Sequence, residues 1–284
     1  MKNGFQFGMS IATEPLSPSA PVIYRDDIHT VIRRARELGY DGIELQLRNP
    51  EKVDAGEIQA ACQKEGIRIC AIATGLEYSL NGLSMIDGDL ARREEMRRRL
   101  FRDVELAEVF GCPVIVGCVR GNIPPDGDRE ESLARFREEM LLVSAKAQKH
   151  GVVIVLEAIN FYVNNYLCSI RSACDFIDSL GRDNVKLHMD THHMAIEEHD
   201  FLGAVRYAGE RIGYVHFAEN NRMYPGAGTV DFLGVMRILR EQNYTGFITL
   251  EVVPLPDADR CAERGLAYLT RLAELVEFQP IDRA

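Results

Sequence analysis

The sequence predicts a single (β/α)8 TIM barrel for this chain of 284 residues. Short apolar runs and amphipathic stretches of helix length alternate along it, which is typical of a parallel sheet with right-handed crossovers. Eight such units favour closure into a barrel over an open sheet. An open nucleotide-binding sheet would usually carry GxGxxG after its first strand, whereas the first run here leads into SIATEPLSPSAPVIY. We therefore expect one domain, residues 1–284, with its site at the carboxyl ends of the strands.

The predicted strands are short, mostly apolar or β-branched runs. In chain order they are Phe5–Met9, Gly42–Leu47, Arg68–Thr74, Pro113–Cys118, Val152–Glu157, Val185–Asp190, Ile212–His216 and Gly246–Glu251. Because loops that follow strands lie on the catalytic face of a barrel, we expect Ser10–Tyr24 and Arg120–Asp128 either to shape a pocket or to be plain surface loops.

The predicted helices show apolar residues at helical spacing, and several end at a glycine. The first, DIHTVIRRAREL, has this spacing and is followed by Gly39; Ser169 and Asp231 are suitable N-caps. The eight helices are Asp27–Leu38, Ala55–Glu65, Asp89–Phe110, Glu130–His150, Ser169–Leu180, Asp200–Gly209, Asp231–Gln242 and Asp259–Val276.

Composition and charge narrow the classes of function. A hydrophobic fraction of 46% with 27% charged residues is ordinary for a globular protein, and the net charge of −10 disfavours a nucleic-acid partner. The seven cysteines form no CxxC pair, which is typical of reduced thiols. The N-terminal MKNGFQFGMS lacks the apolar core of a signal peptide, and no run approaches the roughly 18 apolar residues of a membrane span. We expect a cytoplasmic protein without a membrane partner.

Four polar residues end four successive predicted strands: Glu157, Asp190, His216 and Glu251. In a parallel barrel all carboxyl ends open on one face, so we expect these side chains to converge. Three carboxylates and one imidazole suit one divalent ion, with Mn²⁺ as our first choice and Mg²⁺, Co²⁺ or Zn²⁺ as alternatives. Taken singly, each has another interpretation: a helix-capping carboxylate for Glu157, an N-cap for Asp190, and a core histidine for His216.

A divalent ion among these carboxylates would polarise a substrate carbonyl and acidify the neighbouring C–H, while a carboxylate acts as base. The set therefore predicts proton abstraction next to a carbonyl, the chemistry of sugar isomerases and epimerases. Nearby, we expect His188 to pack in the core and either His192 or His193 to lie at the surface. Arg222 either binds substrate oxygens or is a surface arginine.

The motifs LEAIN (156–160), HMDTHHM (188–194), HFAENNR with PGAGTVDF (216–232) and LEVVP (250–254) resemble the xylose-isomerase-like superfamily of TIM barrels. Within it the chain is most similar to ketose 3-epimerases of the tagatose and psicose type, over essentially its whole length. The resemblance implies a metal-dependent isomerase of carbohydrate metabolism that epimerises carbon 3 of a ketose or keto-polyol through a cis-enediolate. It also implies a small-molecule sugar substrate and a homodimer or homotetramer.

Carried over residue by residue, the resemblance implies that Glu157, Asp190, His216 and Glu251 bind the metal. It implies that Glu157 and Glu251 are also the catalytic acid/base pair. It further implies substrate-binding roles for His193 and Arg222.

The sequence departs from the family where the epimerases carry a substrate-contacting glutamate six residues after the first ligand. Here that position is Val163, so Asn160 or Tyr162 would have to substitute. The departure keeps open a modified sugar, an inosose or a smaller hydroxyketone.

Several alternatives remain at this level. An inosose or hydroxypyruvate-type isomerase would use the same residues. A dehydratase of the dehydroshikimate type would use them to lose water. An endonuclease IV-like nuclease has the same barrel, but the first four predicted strands lack the histidines for its metal cluster. A sugar-binding protein without turnover would keep the pocket alone.

Overall fold

The computed structural model describes residues 4–278. Residues 1–3, which begin the segment used to argue against a signal peptide, and residues 279–284, the end of the predicted domain, lie outside the described residues. The eight barrel strands are β1 Gln6–Ala12, β2 Gly42–Gln46, β3 Arg68–Ala73, β4 Val114–Val116, β5 Ile154–Glu157, β6 Val185–Asp190, β7 Ile212–Phe217 and β8 Phe247–Leu250.

Eight helices follow these strands in alternation and surround the barrel. They are α1 Ile28–Leu38, α2 Ala55–Glu65, α3 Leu90–Phe110, α4 Arg129–Lys149, α5 Ile170–Leu180, α6 Phe201–Ala208, α7 Phe232–Glu241 and α8 Ala258–Phe278. The predicted N-caps are confirmed, since Ser169 accepts from the Ser172 amide and Asp231 from that of Gly234. Gly39 ends α1 in the left-handed region at φ 88°, where glycine avoids the strain of a β-carbon.

The sheet is parallel throughout and closes on itself. Each barrel strand pairs with the next, and β1 pairs with β8 through Gln6–Met9 and Phe247–Leu250. A two-residue strand, Tyr24–Arg25, adds to the far end of β1. The predicted TIM barrel is confirmed, and all strand carboxyl ends share one face.

The protein has two apolar regions, inside and outside the barrel wall. The larger core lies between strands and helices, where β1 contributes Phe7, Met9 and Ile11. A smaller cluster fills the barrel interior and contains Cys70, Ala71, Ala73, Ile115, Val155 and Tyr214. Polar side chains, including those of Glu44, Gln46, Glu157 and His216, are buried in the same structure. The carboxyl-terminal end of the barrel is therefore polar above a packed floor.

The structure differs from the prediction mainly in the connections. Two helices that the sequence analysis omitted, Gly75–Asn81 and Thr191–Glu197, directly follow β3 and β6. Both are too short for an apolar periodicity to stand out. The predicted strand Phe5–Met9 extends to Ala12, and Pro113–Cys118 shortens to Val114–Val116 because Cys118 begins a 3-10 turn.

Two further observations concern the helices and the cysteines. None of the helices among residues 4–278 is long and apolar enough to span a membrane. All seven cysteines are free, and five of them are buried.

Asp103 is an unusual residue of α3. Its side chain is buried, and neither carboxylate oxygen has a hydrogen-bond partner among the described residues. Burial, together with the charge of Glu77, raises the pKa of Asp103 well above its usual range. An acid whose pKa is raised in the folded state ionises more easily in the unfolded chain. The free energy of unfolding therefore falls as the pH rises above the pKa that the acid has in the unfolded chain.

We predict that Asp103→Asn stabilises the protein increasingly with pH. The amide cannot ionise, so the variant lacks the fall in the free energy of unfolding with pH that Asp103 causes, which is at most about 1.4 kcal/mol per pH unit. Urea unfolding at about pH 5 and about pH 7 should show the free energy of unfolding, variant minus wild type, larger at the higher pH by about 1–2 kcal/mol. Asp126→Asn, at an exposed position, is the control. Equal differences at the two pH values would contradict the prediction.

Candidate metal centre

The four predicted strand-end residues come together at the open face of the barrel. One ligand atom from each of Glu157, Asp190, His216 and Glu251 lies within 4.8 Å of all the others. Glu157 and Asp190 end β5 and β6, His216 lies on β7, and Glu251 follows β8. Strand register sets part of this arrangement, since Asp190 and His216 are direct partners in neighbouring strands.

The chemistry of these side chains fits a divalent cation. His216 Nδ1 lies 3.6 Å from Asp190 Oδ2 and 3.4 Å from Glu251 Oε2, and it is buried without a hydrogen-bond partner among the described residues. Burial, with repulsion from Glu251 and Asp190, raises the pKa of Glu157 to about 8. A cation bound by donors at about 2.0–2.6 Å would relieve this repulsion and use the free nitrogen.

Asp190 is an N-cap and also faces the candidate site, two interpretations that the sequence analysis treated as alternatives. It is the N-cap of the helix Thr191–Glu197, accepting from the amides of His192 (2.7 Å) and His193 (3.4 Å) through Oδ1. Its other oxygen, Oδ2, faces His216 and Arg222. The cap therefore fixes the carboxylate so that its second oxygen points into the site.

Arg222 is part of the site and not a surface arginine. Its guanidinium bridges Asp190, at 2.6 Å, and Glu251. The residue has a left-handed backbone, φ 63°, inside a turn in which its amide donates to Glu219 O and its carbonyl accepts from the Val253 amide. Against the effect of burial, the charge of Arg222 holds the pKa of both Asp190 and Glu251 below their usual range.

His192 and His193 both line the cavity, so the expectation that one lies at the surface is wrong. Asn160 Nδ2 donates to His193 Nδ1 (2.6 Å), and the other ring nitrogen lies 3.5 Å from Glu157 Oε1. His192 is half-buried and Nδ1 lies 3.2 Å from Glu219 O. The helix Thr191–Glu197 begins at the cavity edge, and its first turn brings consecutive side chains to the same wall.

His188 packs in the core, as expected. Its ring lies edge-on to His216 at 4.1 Å between centroids and to Tyr214 at 5.3 Å. It is fully buried, and burial lowers the pKa of His188 well below its usual range. Its Nδ1 lies 3.9 Å from Glu157 Oε2, so a neutral imidazole forms the floor beneath that carboxylate.

Glu44 is a site residue that the sequence analysis missed. It lies inside β2, fully buried, and its Oε2 accepts a hydrogen bond from His216 Nε2 at 2.6 Å. Gln46, two residues later, places its Nε2 amide donor 3.0–3.2 Å from Glu44 Oε1, Ser10 Oγ and Glu251 Oε1. The signal was present, because polar residues at alternate positions of the apolar run GIELQL face the barrel interior.

A cavity of about 300 Å³ lies over these residues. Its lining includes polar side chains, among them Glu157, His193, Arg222 and Glu251, and apolar side chains, which are Pro21, Ala73, Ile115 and Val163. Pro21 comes from the loop after β1, which therefore shapes the pocket. Asn160 is buried at the edge of the site, whereas the Tyr162 side chain is 77% exposed.

Comparisons with known proteins agree with this geometry. Residues 32–272 match the family model described as xylose isomerase-like TIM barrel. An L-ribulose 3-epimerase of Methylomonas sp. (strain DH-1) is 33% identical over 224 residues, which are 78% of this chain and 76% of the relative. A 3-dehydro-D-guloside 4-epimerase of Escherichia coli (strain K12) is 27% identical over 80% of this chain and 88% of its own.

A solved structure of D-allulose 3-epimerase from Methylomonas sp. in complex with D-allulose superimposes with a TM-score of 0.79. The two chains are 25% identical, and the match covers 94% of this chain and 96% of that one. The barrel and the length of the chain are therefore shared with proteins named as sugar epimerases.

We predict that Glu44→Gln weakens binding of a divalent ion by about 10–100-fold. The carboxylate of Glu44 accepts from Nε2, so the proton that His216 would release on binding an ion is the one on Nδ1, which faces Asp190 and Glu251. An amide at position 44 would hold this ring state less firmly. Calorimetric titration of the metal-free protein with Mn²⁺ measures the dissociation constant. Glu57→Gln is a matched control, because Glu57 pairs with the exposed His29. An unchanged dissociation constant in Glu44→Gln would show that the contact does not orient the ligand.

Proposed function

The chain belongs to the xylose isomerase-like TIM barrel family, and we propose that it is a divalent-metal-dependent sugar epimerase that inverts carbon 3 of a ketose or related keto-polyol. The observation that carries the proposal is the convergence of Glu157, Asp190, His216 and Glu251 at the base of one sugar-sized cavity. The relatives named as 3-epimerases support the same class of reaction, that of an isomerase.

Glu157 and Glu251 form the proposed acid/base pair. Glu157 ends β5 and Glu251 follows β8, two strands that are well separated around the barrel, and both carboxylates line the cavity. One carboxylate removes the proton from carbon 3 and the other delivers a proton to the opposite face, with exchanged roles in the reverse direction. A bound divalent ion would polarise the carbonyl and the adjacent hydroxyl and so favour the cis-enediolate.

His193 and Arg222 are the proposed groups for substrate oxygens. Asn160 donates to Nδ1 of His193, so Nε2 is the nitrogen that carries the proton toward the cavity. The guanidinium of Arg222 presents several donors to hydroxyl or carbonyl oxygens. Asn160 acts through His193 in this arrangement, and it fills the position of substrate-orienting group for which Tyr162 is too exposed.

The proposal also covers the metal ion, the location, the oligomeric state and the class of substrate. Three carboxylates and an imidazole suit Mn²⁺ as the working ion, and Mg²⁺, Co²⁺ or Zn²⁺ have compatible donors. A cytoplasmic location and a homodimer or homotetramer are inferred from the sequence and the family resemblance. The Methylomonas structure, solved with D-allulose, supports a sugar as the substrate.

The other candidates are less well supported. An inosose or hydroxypyruvate isomerase would use the same enediolate chemistry, so it differs only in substrate. A dehydratase would differ in product. A nuclease of the endonuclease IV type would need further metal ligands, but the metal-ligand groupings found among residues 4–278 all belong to this one site. The net charge of −10 also disfavours a nucleic-acid substrate. A sugar-binding protein would not need two carboxylates placed as acid and base.

The proposed function predicts metal-dependent hydrogen exchange. In D₂O with Mn²⁺, a panel of D-psicose, L-ribulose, an inosose and 3-keto glycosides should include a substrate that gains deuterium next to its carbonyl at unchanged carbon skeleton. We expect a chelator to abolish the exchange, and Glu157→Gln or Glu251→Gln to slow it at least about 100-fold. Glu57→Gln should retain wild-type exchange. Loss of water from the substrate would identify a dehydratase, and absence of exchange throughout would refute the epimerase.

A second prediction concerns Gly117, which lies against the Glu157 carboxylate. A β-carbon at position 117 would overlap Glu157 Oε2. We therefore expect Gly117→Ala to displace that carboxylate and lower kcat by about 10–100-fold, because small misplacements of a reacting group are costly. The matched control is Gly88→Ala, since a β-carbon there meets no atom within 4 Å. Equal kcat values for the two variants would contradict close contact at Gly117.

A further inference from the structure

Three consecutive apolar side chains are exposed directly beside the candidate active-site cavity. Phe161, Tyr162 and Val163 are 55%, 77% and 45% exposed, and the two rings lie against each other with centroids 4.1 Å apart. The other large apolar side chains exposed among residues 4–278 occur singly along the chain. Isolated exposed residues are normal in a globular protein, whereas an apolar cluster at a cavity mouth indicates a binding surface. We call Phe161, Tyr162 and Val163 the aromatic platform.

We propose that the aromatic platform binds an apolar or aromatic substituent of the substrate, so that the preferred substrate is a hydroxyketone carrying such a group, as in a glycoside with an apolar aglycone. This inference rests on the proposed epimerase function and extends it to the class of substrate. In such a glycoside the sugar ring carries the carbonyl, so the same enediolate chemistry inverts the carbon next to that carbonyl.

The backbone of the platform is held in place by hydrogen bonds. The Phe161 amide donates to Glu197 Oε1, the Tyr162 amide donates to Asn160 Oδ1 at 3.0 Å, and the Val163 carbonyl accepts from Asn122 Nδ2 at 2.9 Å. The same Asn160 donates to His193 in the site. The platform is therefore coupled to the site through one asparagine.

The segment that follows the platform is fastened to the neighbouring loop. Asn164 Nδ2 donates to Gly121 O, and the Asn165 side chain both accepts from the Ile123 amide and donates to its carbonyl, at 2.7–3.0 Å. The backbone that carries the two rings is therefore fixed, so this segment loses little backbone freedom on binding a ligand, which favours a recognition role.

Val163 joins the platform to the cavity. Its side chain lines the cavity, and the lining also contains the apolar residues Pro21, Ala73 and Ile115. A free ketose carries hydroxyl groups along its whole length, and a hydroxyl next to such apolar side chains would lose water without gaining a hydrogen bond. A substituent that continues past Val163 onto the two rings gains apolar and stacking contacts instead.

The size of the platform favours a small substituent over a second copy of the chain. Three partly exposed side chains offer about 300–400 Å² of surface. A stable interface between proteins needs about 800 Å² from each partner. An aromatic ring attached to the substrate, in contrast, matches the area of the two side chains.

The test compares two 3-keto-β-D-glucopyranosides, one with a methyl and one with a phenyl aglycone, on the Mn²⁺-loaded full chain. Calorimetry gives the apparent dissociation constant of each, and deuterium exchange gives kcat and KM. We expect the phenyl glycoside to bind about tenfold more tightly, with the difference in KM and not in kcat. In the double variant Phe161→Ala/Tyr162→Ala the phenyl-to-methyl ratio should fall to about one, while the methyl glycoside is unaffected. Leu275→Ala, an exposed apolar position on α8, should keep the wild-type ratio.

The outcomes separate this inference from the proposed function. If hydrogen exchange occurs but the wild type binds the two glycosides equally, the platform inference is wrong and the epimerase proposal stands. The same holds if the double variant keeps the preference for the phenyl glycoside. Tighter phenyl binding that the double variant abolishes, with no exchange on any sugar of the panel, supports the platform and refutes the epimerase. Sedimentation velocity tests whether the platform is instead a contact between copies of the chain. A double variant that dissociates into smaller species and weakens both glycosides equally identifies the platform as a contact between copies and overturns the inference.

Discussion

The arrangement of the site depends on one electrostatic constraint, the close approach of three buried acidic side chains and a partly buried one, Glu251, at one end of the barrel. Glu44, Glu157, Asp190 and Glu251 all lie within reach of His216 or of one another. Like charges in a medium of low dielectric constant repel strongly, so the fold requires compensation. The guanidinium of Arg222, between Asp190 and Glu251, supplies part of it, and the raised pKa of Glu157 supplies another part.

The same constraint connects metal binding to protons. Although burial opposes it, the charges of Glu44 and Glu251 raise the pKa of His216 well above its usual range. A histidine that binds a cation must be neutral, so His216 would have to release its second proton to serve as a ligand. Binding of an ion at this site would therefore be linked to pH, with tighter binding at higher pH.

The sequence contained enough information to predict the barrel and the four strand-end residues, because both follow from local patterns. A ligand at the last position of a strand is set by chain order and by the common direction of parallel strands. Glu44 was missed because its partner His216 is 172 residues away and because the contact forms only when the barrel closes. The orientation of His192 and His193 depended on where a seven-residue helix begins, which propensity does not determine.

The cavity combines two halves that constrain different properties of the enzyme. Glu157, Asp190, His216 and Glu251, at or next to strand ends, are fixed by register and charge, so proteins that share the barrel can share the reaction. Part of the apolar lining is carried by loops, where Val163 and Pro21 are free of the sheet geometry. A substitution at these two positions would leave the proposed acid/base pair undisturbed and change what can lie beside it. Family membership therefore constrains the proton transfer far more than the sugar, and the identity of the substrate has to be sought in the loops.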